Sequence, residues 1–363
     1  MKLFILKSQF IFLTAIVIAF TSCGKTLDPV QSPVTTPATL PTPAPVARFN
    51  INASLVTPNA TKEANALYQF LRNNYGKKIL SGAMTLNSFD EINWLKTNTS
   101  KEPAIIGLDF MHAFRGYNWY NNEEPINDAK TFWARNGIPV FVWHWRDPSR
   151  ATEEFYTRNA GKPNGTTFDI SRIEDSTSAE YIAMIRDIDS VAVALKKLQA
   201  ANVPVIWRPL HEAAGGWFWW GAKGAAPCKK LYQVMYNRMV NVHGLKNLIW
   251  VWTREPNDEA WYPGDQYVDI IGRDIYKDGD HTSQLAEFNA LNTLYGSKKM
   301  IAMSECGSMP DVDNLIKDGA AWSWYMPWYG DYVRNAKYNP LDLWNKNFAN
   351  PYVITLDNMP SLK

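Results

Sequence analysis

From residue 79 onward, short runs of apolar and β-branched residues alternate with longer amphipathic segments. The short runs have the length of strands and the longer segments have helical spacing, a combination typical of parallel strands joined by helices. The candidate strands are Ile79 to Ala83, Ile105 to Phe110, Pro139 to Trp143, Val203 to Arg208, Leu248 to Trp252, Ile270 to Ile275, Lys299 to Met303 and Trp322 to Met326. Eight such units predict a (β/α)8 TIM barrel, an α/β fold, with a doubly wound open sheet as the alternative.

The longest helical pattern runs from Ser178 to Ala201. Its apolar residues recur every three or four positions, and charged residues occupy the other face. The predicted buried face consists of Ile182, Ile185, Ile188, Val191, Ala192, Leu195 and Leu198. We therefore expect this helix to pack against the barrel along one side.

The first 22 residues have the pattern of an export signal. Lys2 and Lys7 precede an apolar run from Phe10 to Phe20, which is too short for a membrane-spanning helix of ~20 residues. Small residues then lead to Cys23, as in bacterial lipoproteins, although Phe20 stands where leucine is common. This resemblance implies that Cys23 becomes the lipidated N-terminus of an exported protein, attached to the outer membrane of a Gram-negative-type bacterium. An unlipidated secretory signal is the alternative, and the face of the membrane stays open.

Residues 23–48 follow as a spacer dominated by Pro and Thr, a composition with too few large apolar groups to form a core. Residues 49–363 are left for one catalytic domain of barrel size. The formal net charge is only +2, which does not indicate nucleic acid as a partner, and we expect a monomer. Cys228 and Cys306 lack metal-ligand spacing, and their pairing is left open.

Polar and aromatic residues follow the candidate strands. In a barrel of parallel strands, these positions share one face, where such folds place their active sites. The set comprises Asp109, His112, His144, Arg146, Asp147, Arg208, His211, Glu212, Thr253, Arg254, Asp274, Tyr276, Ser304, Glu305, Trp324 and Trp328. Three of the five histidines of the chain fall in this set, and the chain has sixteen tryptophans. Indole rings offer flat surfaces on which sugar rings stack, so we expect a carbohydrate-binding cleft.

Two carboxylates in this set, Glu212 and Glu305, have the chemistry for glycoside hydrolysis. One carboxyl group protonates the leaving oxygen, while the other attacks the anomeric carbon and is later displaced by water. The retaining reaction requires the two groups to lie only ~5 to 5.5 Å apart. The fourth and seventh strands of a barrel lie roughly opposite each other, so side chains from both can approach across one sugar ring.

The segment from Trp207 to Glu212, followed by Gly216-Trp217-Phe218-Trp219-Trp220, closely resembles the acid/base segment of glycoside hydrolase family 26. Ser304-Glu305-Cys306-Gly307 resembles the nucleophile segment of that family. The resemblance implies a (β/α)8 fold, β-mannanase activity with retention of configuration, and no cofactor or metal. Mannan, galactomannan or glucomannan would be the substrate. Endo and exo attack both stay open.

Carried over by residue, the resemblance makes Glu212 the acid/base and Glu305 the nucleophile. The implied substrate-binding set is His144, Arg208, His211, Trp217, Tyr276 and Trp328. In this set, Tyr276 would hydrogen-bond the nucleophile, Trp328 would form the floor beneath the sugar before the cleaved bond, and Trp217 would lie on the leaving-group side. Tyr329-Gly330 replaces an arginine of some members, which leaves the distal sugar contacts undefined.

Several of these residues also allow other interpretations. Glu212 could pair structurally with Arg208, and Asp109 could pair with His112. A zinc helix at His211-Glu212 would need a second histidine at position 215, which is Gly. Trp94, Trp133 and Trp344 are expected in the core. Trp119, Trp145, Trp219 and Trp220 are expected in loops of the active face, with core packing as the alternative for each of them. Alternative functions are a relative that cuts xylan or mixed-linkage β-glucan, and a non-catalytic glycan-binding lipoprotein.

Overall fold

A computed structural model describes residues 49–363. The export signal, Cys23 and the spacer lie outside the described residues, so these assignments stay predictions. Within residues 49–363, no helix has both the length and the apolar character that crossing a membrane requires.

Eight parallel strands form a closed barrel. They are β1 (Ile79–Met84), β2 (Ile105–Asp109), β3 (Ile138–Val142), β4 (Val205–Arg208), β5 (Leu248–Arg254), β6 (Ile270–Ile275), β7 (Met300–Cys306) and β8 (Trp324–Pro327). Each strand pairs with the next, and β8 pairs with β1 to close the ring. The predicted (β/α)8 barrel is confirmed, and the open-sheet alternative is wrong.

Helices surround the barrel. They are α1 (Lys62–Asn74), which precedes the first strand, α2 (Asp90–Thr99), α3 (Glu124–Ala134), α4 (Ala179–Ala200), α5 (Ala225–Asn237), α6 (Leu285–Leu294), α7 (Val312–Asp318), α8 (Asp331–Arg334) and α9 (Leu341–Ala349). Between β5 and β6 the chain forms only two short 3-10 turns, Glu259–Trp261 and Asp265–Tyr267. Pro256 and Pro263 flank the first turn, and proline disrupts a helix interior, so this unit lacks an α-helix.

Helix α4 matches most of the predicted pattern, although Ile185 is only half-buried and Ile182 is exposed. The hydroxyl of Ser178 caps its first turn by accepting a hydrogen bond from the backbone N–H of Tyr181 at 3.0 Å. Ile188, Val191 and the later predicted positions are buried, but Ile182 is 60% exposed. At roughly 100° per residue, Ile182 lies about 120° around the helix from Ile188 and so misses the buried stripe.

The two ends of the barrel differ in chemistry. At the amino ends of the strands, a short ninth strand, β9 (Val353–Ile354), pairs in parallel with β1. At the carboxyl ends, buried charged residues enter the interior, among them Arg208, Asp274 and Glu305. The active site was predicted at the carboxyl ends of the strands, and this is the end of the barrel where charged residues replace apolar ones in the interior.

Candidate active site

Three carboxylates converge at the mouth of the barrel. Glu305 is the penultimate residue of β7, Asp274 lies in β6, and Glu212 follows β4 by four residues. One oxygen from each lies within 4.8 Å of the other two. This approach of Glu212 and Glu305 is compatible with the ~5 to 5.5 Å between the carboxyl groups of retaining glycosidases and is shorter than the ~6.5 to 9.5 Å of inverting ones. The arrangement suits direct attack on a sugar carbon.

Glu305 lies in a cationic, hydrogen-bonding environment. Arg208 donates from Nη2 to Oε1 of Glu305, and the hydroxyl of Tyr276 donates to Oε2 at 2.8 Å. Arg208 also donates from Nη1 to Asp274 at 2.9 Å and to Thr253 at 3.0 Å, and its side chain is fully buried. A contacting guanidinium and a phenol both favour the ionised carboxylate. Glu305 is therefore oriented as an anion.

Glu212 lies in a different environment. Its Oε2 accepts a hydrogen bond from the indole N–H of Trp217 at 3.0 Å, and the structure shows no cation bonded to it among the described residues. Burial, followed by the negative charge of Asp274, raises the pKa of Glu212 to about 8. The carboxyl group is therefore mostly protonated at neutral pH, as a proton donor requires.

The loop that carries Glu212 has an unusual backbone. Leu210 and Glu212 both have φ of 52°, in the left-handed region that non-glycine residues seldom adopt and that often marks functional sites. The indole N–H of Trp220 donates to the carbonyl oxygen of His211 at 2.9 Å and so fixes the middle of this segment. A Cβ atom on Gly215 would lie 2.1 Å from the ring of Trp217. The absence of a side chain at position 215 therefore gives Trp217 room to reach Glu212.

Two histidines, His144 and His211, contact each other beside the carboxylates. Nδ1 of His144 lies 2.6 Å from a carboxylate oxygen of Asp109, and its Nε2 lies 3.2 Å from Nε2 of His211. Asp109 therefore orients the ring of His144, and the two Nε2 atoms lie within hydrogen-bond distance of each other. Burial lowers the pKa of His211, so that histidine is neutral. The ring of Trp328 lies against His144, with centroids 5.4 Å apart.

The structure brings the eight predicted residues of the barrel mouth into one site, although their exposure differs. Tyr276 is 41% exposed, and Trp217 and Trp328 are half-buried, so all three can face a substrate. Arg208 is fully enclosed and bonded to Glu305 and Asp274. Its predicted sugar contact stays a prediction, and the contacts that the structure shows for this guanidinium are with the carboxylates. Arg208 does not bond Glu212, so the alternative of a structural pair between these two residues is wrong.

Several aromatic assignments change. Trp145, Trp219 and Trp220 lie in loops that follow β3 and β4, as predicted, but they are at most 1% exposed, so the alternative of core packing holds for all three. They pack together beneath the loops, with Trp145 and Trp219 centroids 4.8 Å apart. Trp133 and Trp344 are buried as predicted, and Trp94 is half-buried. Cys228 and Cys306 are buried free thiols, so they do not pair with each other.

Sequence reasoning missed two acidic partners. Asp109 bonds His144, 35 positions away, rather than the nearby His112. Asp274 accepts hydrogen bonds from Arg208 and, at 2.7 Å, from Ser304. Both residues end or follow strands, but nothing in their local sequence indicates which distant side chain they contact.

The three carboxylates are also the one group among residues 49–363 whose spacing would suit a metal ion. Arg208 already neutralises Asp274 and Glu305 and occupies oxygen lone pairs on both. A second cation at the same place would be repelled by the guanidinium. The donor set therefore fits acid/base and nucleophilic chemistry better than metal binding.

Comparison with known proteins supplies independent findings. The family model described as glycosyl hydrolase family 26 matches residues 56–358. The chain is 41% identical over 324 residues to a mannan endo-1,4-beta-mannosidase of Thermothelomyces thermophilus, covering 87% of this chain and 65% of that protein. It is 36% identical to mannan endo-1,4-beta-mannosidase A of a Piromyces species, covering 86% of this chain and 51% of the relative. The chain thus spans about half to two thirds of the length of these curated relatives.

Solved structures give the same relationship. A beta-mannanase from a symbiotic protist of the termite Reticulitermes speratus, complexed with gluco-manno-oligosaccharide, superimposes with a TM-score of 0.82 at 44% identity. The match covers 86% of this chain and 99% of that one. The GH26-CBM35 beta-(1,4)-mannanase of Podospora anserina gives a TM-score of 0.81 at 39% identity, covering 88% and 71% of the two chains.

Proposed function

The chain belongs to glycosyl hydrolase family 26, and from this premise we propose that it hydrolyses β-1,4-mannosidic linkages in mannan, galactomannan or glucomannan with retention of configuration. The observation that carries the proposal is the approach of Glu212 and Glu305 to within 4.8 Å, with opposite electrostatic surroundings. The names of the relatives, which are mannan endo-1,4-beta-mannosidases, support mannan as the substrate and internal attack.

In the first step, Glu212 gives its proton to the glycosidic oxygen while Glu305 attacks the anomeric carbon. The bond to the leaving sugar breaks, and a bond from the carbon to Glu305 forms. Tyr276 and Arg208 hold the two oxygens of Glu305, so the carboxylate needs little reorientation before attack.

In the second step, Glu212 acts as a base and takes a proton from water. The water oxygen attacks the anomeric carbon and displaces Glu305, which regains its negative charge. While Glu305 is esterified, it carries no negative charge and does not repel an ionised Glu212. The ionised form of Glu212, which the base requires, is therefore favoured at this stage. The restored charge of Glu305 then favours reprotonation of Glu212 for the next cycle.

The proposal is tested by the release of reducing sugar from galactomannan, glucomannan, xylan and mixed-linkage β-glucan. We expect cleavage of the two mannose-containing polymers, with Glu305→Gln as the inactive control. Preferential cleavage of xylan or mixed-linkage glucan would show that one of these polymers, and not mannan, is the substrate. Binding without cleavage of any polymer would support the glycan-binding lipoprotein instead. A time course of product lengths separates internal attack, which shortens long chains at once, from attack at a chain end.

We also propose that the protein is an exported monomer, anchored to the outer membrane through a lipid on Cys23. The support is the sequence of residues 1–24, with a charged start, an apolar run and small residues before cysteine. Cells that express the Cys23→Ser variant should release the protein from the membrane fraction and should not label it with a palmitate analogue. An unchanged membrane fraction in this variant would contradict the anchor. Light scattering of the detergent-solubilised protein tests the monomeric state.

A further inference from the structure

The helical layer around the barrel has a gap that the proposed chemistry does not use. Between β5 and β6 the chain forms only the short turns Glu259–Trp261 and Asp265–Tyr267 instead of a helix. A pocket of about 560 Å³ lies in this gap, between these turns and the end of α6, and is called the flank pocket below. Its volume is within the ~300 to 1,000 Å³ that is typical of small-molecule sites.

The flank pocket lies outside the barrel wall. Arg254 lines it, whereas the preceding residue of β5, Thr253, accepts a hydrogen bond at 3.0 Å from Arg208, which bonds Glu305. Successive side chains of a strand point to opposite faces, so the pocket lies on the outer face of β5 and the catalytic groups lie on the inner face. A ligand in the flank pocket would therefore occupy a site separate from the cleft.

Two tyrosines and a leucine form the apolar part of the flank pocket. The rings of Tyr262 and Tyr295 meet edge to face, with centroids 5.1 Å apart. The guanidinium of Arg254 lies over the ring of Tyr295, 5.9 Å from its centroid. Leu294, the last residue of α6, is 46% exposed beside them. These side chains offer an apolar surface to the C–H faces of a sugar ring.

The polar groups of the flank pocket include both donors and acceptors, and their charges are balanced. Glu259 and Asp265 contribute carboxylates, and Arg254 and Lys298 contribute cations. Arg254 donates to Glu259 at 3.2 Å, and Asp265 accepts a hydrogen bond from the hydroxyl of Tyr262 at 2.8 Å. Balanced charges favour neither an anionic nor a cationic ligand, whereas a neutral ligand with many hydroxyl groups can bond to donors and acceptors alike.

One hydroxyl group in the wall of the flank pocket lacks a partner. The Oη atom of Tyr295 is buried and makes no hydrogen bond within residues 49–363. A buried hydroxyl without a partner costs free energy, and a hydroxyl group of a ligand would supply the missing partner. Tyr295 therefore favours a ligand that carries hydroxyl groups.

We propose that the flank pocket is a second carbohydrate-binding site, which holds a neutral β-mannan chain without cleaving it. The inference rests on the proposed function, because it assigns the same class of polysaccharide to a second surface. An enzyme held on one chain of an insoluble polymer meets neighbouring chains at a raised local concentration. The flank pocket should therefore favour activity on insoluble mannan over activity on short soluble sugars.

Calorimetry tests the second site by counting the bound sugars. Glu305→Gln lacks the nucleophile, so mannohexaose can be titrated into this variant without cleavage. We expect two bound molecules per chain, one in the cleft and one in the flank pocket. Leu294→Asp in the same background should weaken the second binding event about 10-fold, because a charge replaces an apolar wall while both tyrosines are kept. The matched control is Ile316→Asp, which changes a 50% exposed apolar side chain on α7 and should leave both events unchanged.

Kinetics tests the consequence for turnover. With Glu305 intact, Leu294→Asp should lower the ratio of the rate on insoluble mannan to the rate on mannotriose about two- to threefold, because only the polymer can occupy both sites at once. Ile316→Asp should leave this ratio unchanged. Equal losses of Leu294→Asp on the two substrates would overturn the proposal, because they would indicate general damage to the fold.

The binding experiment can also overturn the proposal without affecting the proposed function. A single bound mannohexaose per chain, or a second event that Leu294→Asp does not weaken, would refute the second site even if the wild-type enzyme cleaves mannan. If the wild-type enzyme cleaves no mannan, the proposed function fails, and the same titration tests the flank pocket by itself. Binding that Leu294→Asp weakens and Ile316→Asp does not would then support the site, and binding equal in both variants would refute it.

Discussion

Glu305 and Glu212 carry the same functional group and approach within 4.8 Å, yet their surroundings are opposite. Glu305 receives hydrogen bonds from a guanidinium and a phenol at the end of a strand. Glu212 lies in a strained loop and receives one indole N–H, and burial, followed by the charge of Asp274, disfavours its ionisation. Neighbouring groups, rather than intrinsic acidity, thus prepare one carboxylate for attack and the other for proton donation.

Burial of Glu212, the charge of Asp274 and the bonds of Arg208 to Asp274 and Glu305 together produce this asymmetry. Arg208 bonds both Asp274 and Glu305 on one side of the cluster, which satisfies their negative charges. Glu212 lies on the other side and receives the repulsion from Asp274 without a direct bond to the guanidinium. One buried ion pair can therefore hold neighbouring carboxyl groups in different protonation states.

The largest effect is expected where the nucleophile itself is removed. Glu305→Ala should lower kcat on every substrate by about 10⁴-fold or more, because no other described carboxylate is held in its place. Initial rates on mannan and on an aryl mannoside with a good leaving group provide the measurement. A variant that keeps appreciable turnover on either substrate would contradict the assignment of Glu305.

Glu212→Ala should give a smaller and selective loss. Proton donation contributes about 10² to 10⁴-fold, and an activated aryl leaving group departs without a proton. We therefore expect a large loss on mannan and a much smaller loss of the first step, measured as the burst of phenol release, on the aryl substrate. Equal losses in both substrates would mean that the two glutamates do not have different roles.

Asp274→Asn tests the origin of the asymmetry through pH. The first step needs protonated Glu212, whose pKa of about 8 predicts that activity falls as the pH rises through that value. Asp274 raises this pKa, so removing its charge should move the alkaline limb of the kcat/KM profile to lower pH, by about one unit. Asp278→Asn, a change to a half-exposed surface carboxylate, is the control. An unmoved limb in the Asp274 variant would show that burial alone raises the pKa.

The smallest effect is expected from the contact between Glu212 and Trp217. Gly215→Ala should push the indole away, since the new Cβ would lie 2.1 Å from it, and should lower kcat/KM several-fold. Gly216→Ala is the matched variant, because its Cβ would meet nothing within 4 Å while its φ of +71° is unfavourable for alanine. We expect Gly216→Ala to lower the melting temperature with little loss of activity. If Gly216→Ala lost activity and Gly215→Ala did not, the contact between Trp217 and Glu212 would not contribute to catalysis.

The two glutamates of the site could be predicted because each follows a local pattern in the sequence. The motif that ends in His211-Glu212 is continuous in sequence, and the strand ending near Glu305 is indicated by its apolar run. The cluster of Trp145, Trp219 and Trp220 shows where such patterns stop being sufficient. A run of aromatic residues predicts a contact surface, but whether that surface faces substrate or a neighbouring loop depends on how the loops fold over one another.

Local periodicity predicted the eight strands of the barrel, because the spacing of apolar side chains along the chain selects strands and helices. The strand ends were less well predicted: β7 continues past the predicted end at Met303 to Cys306, so Glu305 lies inside the strand and not after it. Only the tertiary structure shows which side chains contact each other at the mouth of the closed barrel. Arg208 contacts Glu305 across 97 positions and Asp274 across 66, while Asp109 reaches His144 across 35. Such pairings depend on strand order and register, and these long-range contacts produce the electrostatic difference between the two carboxylates.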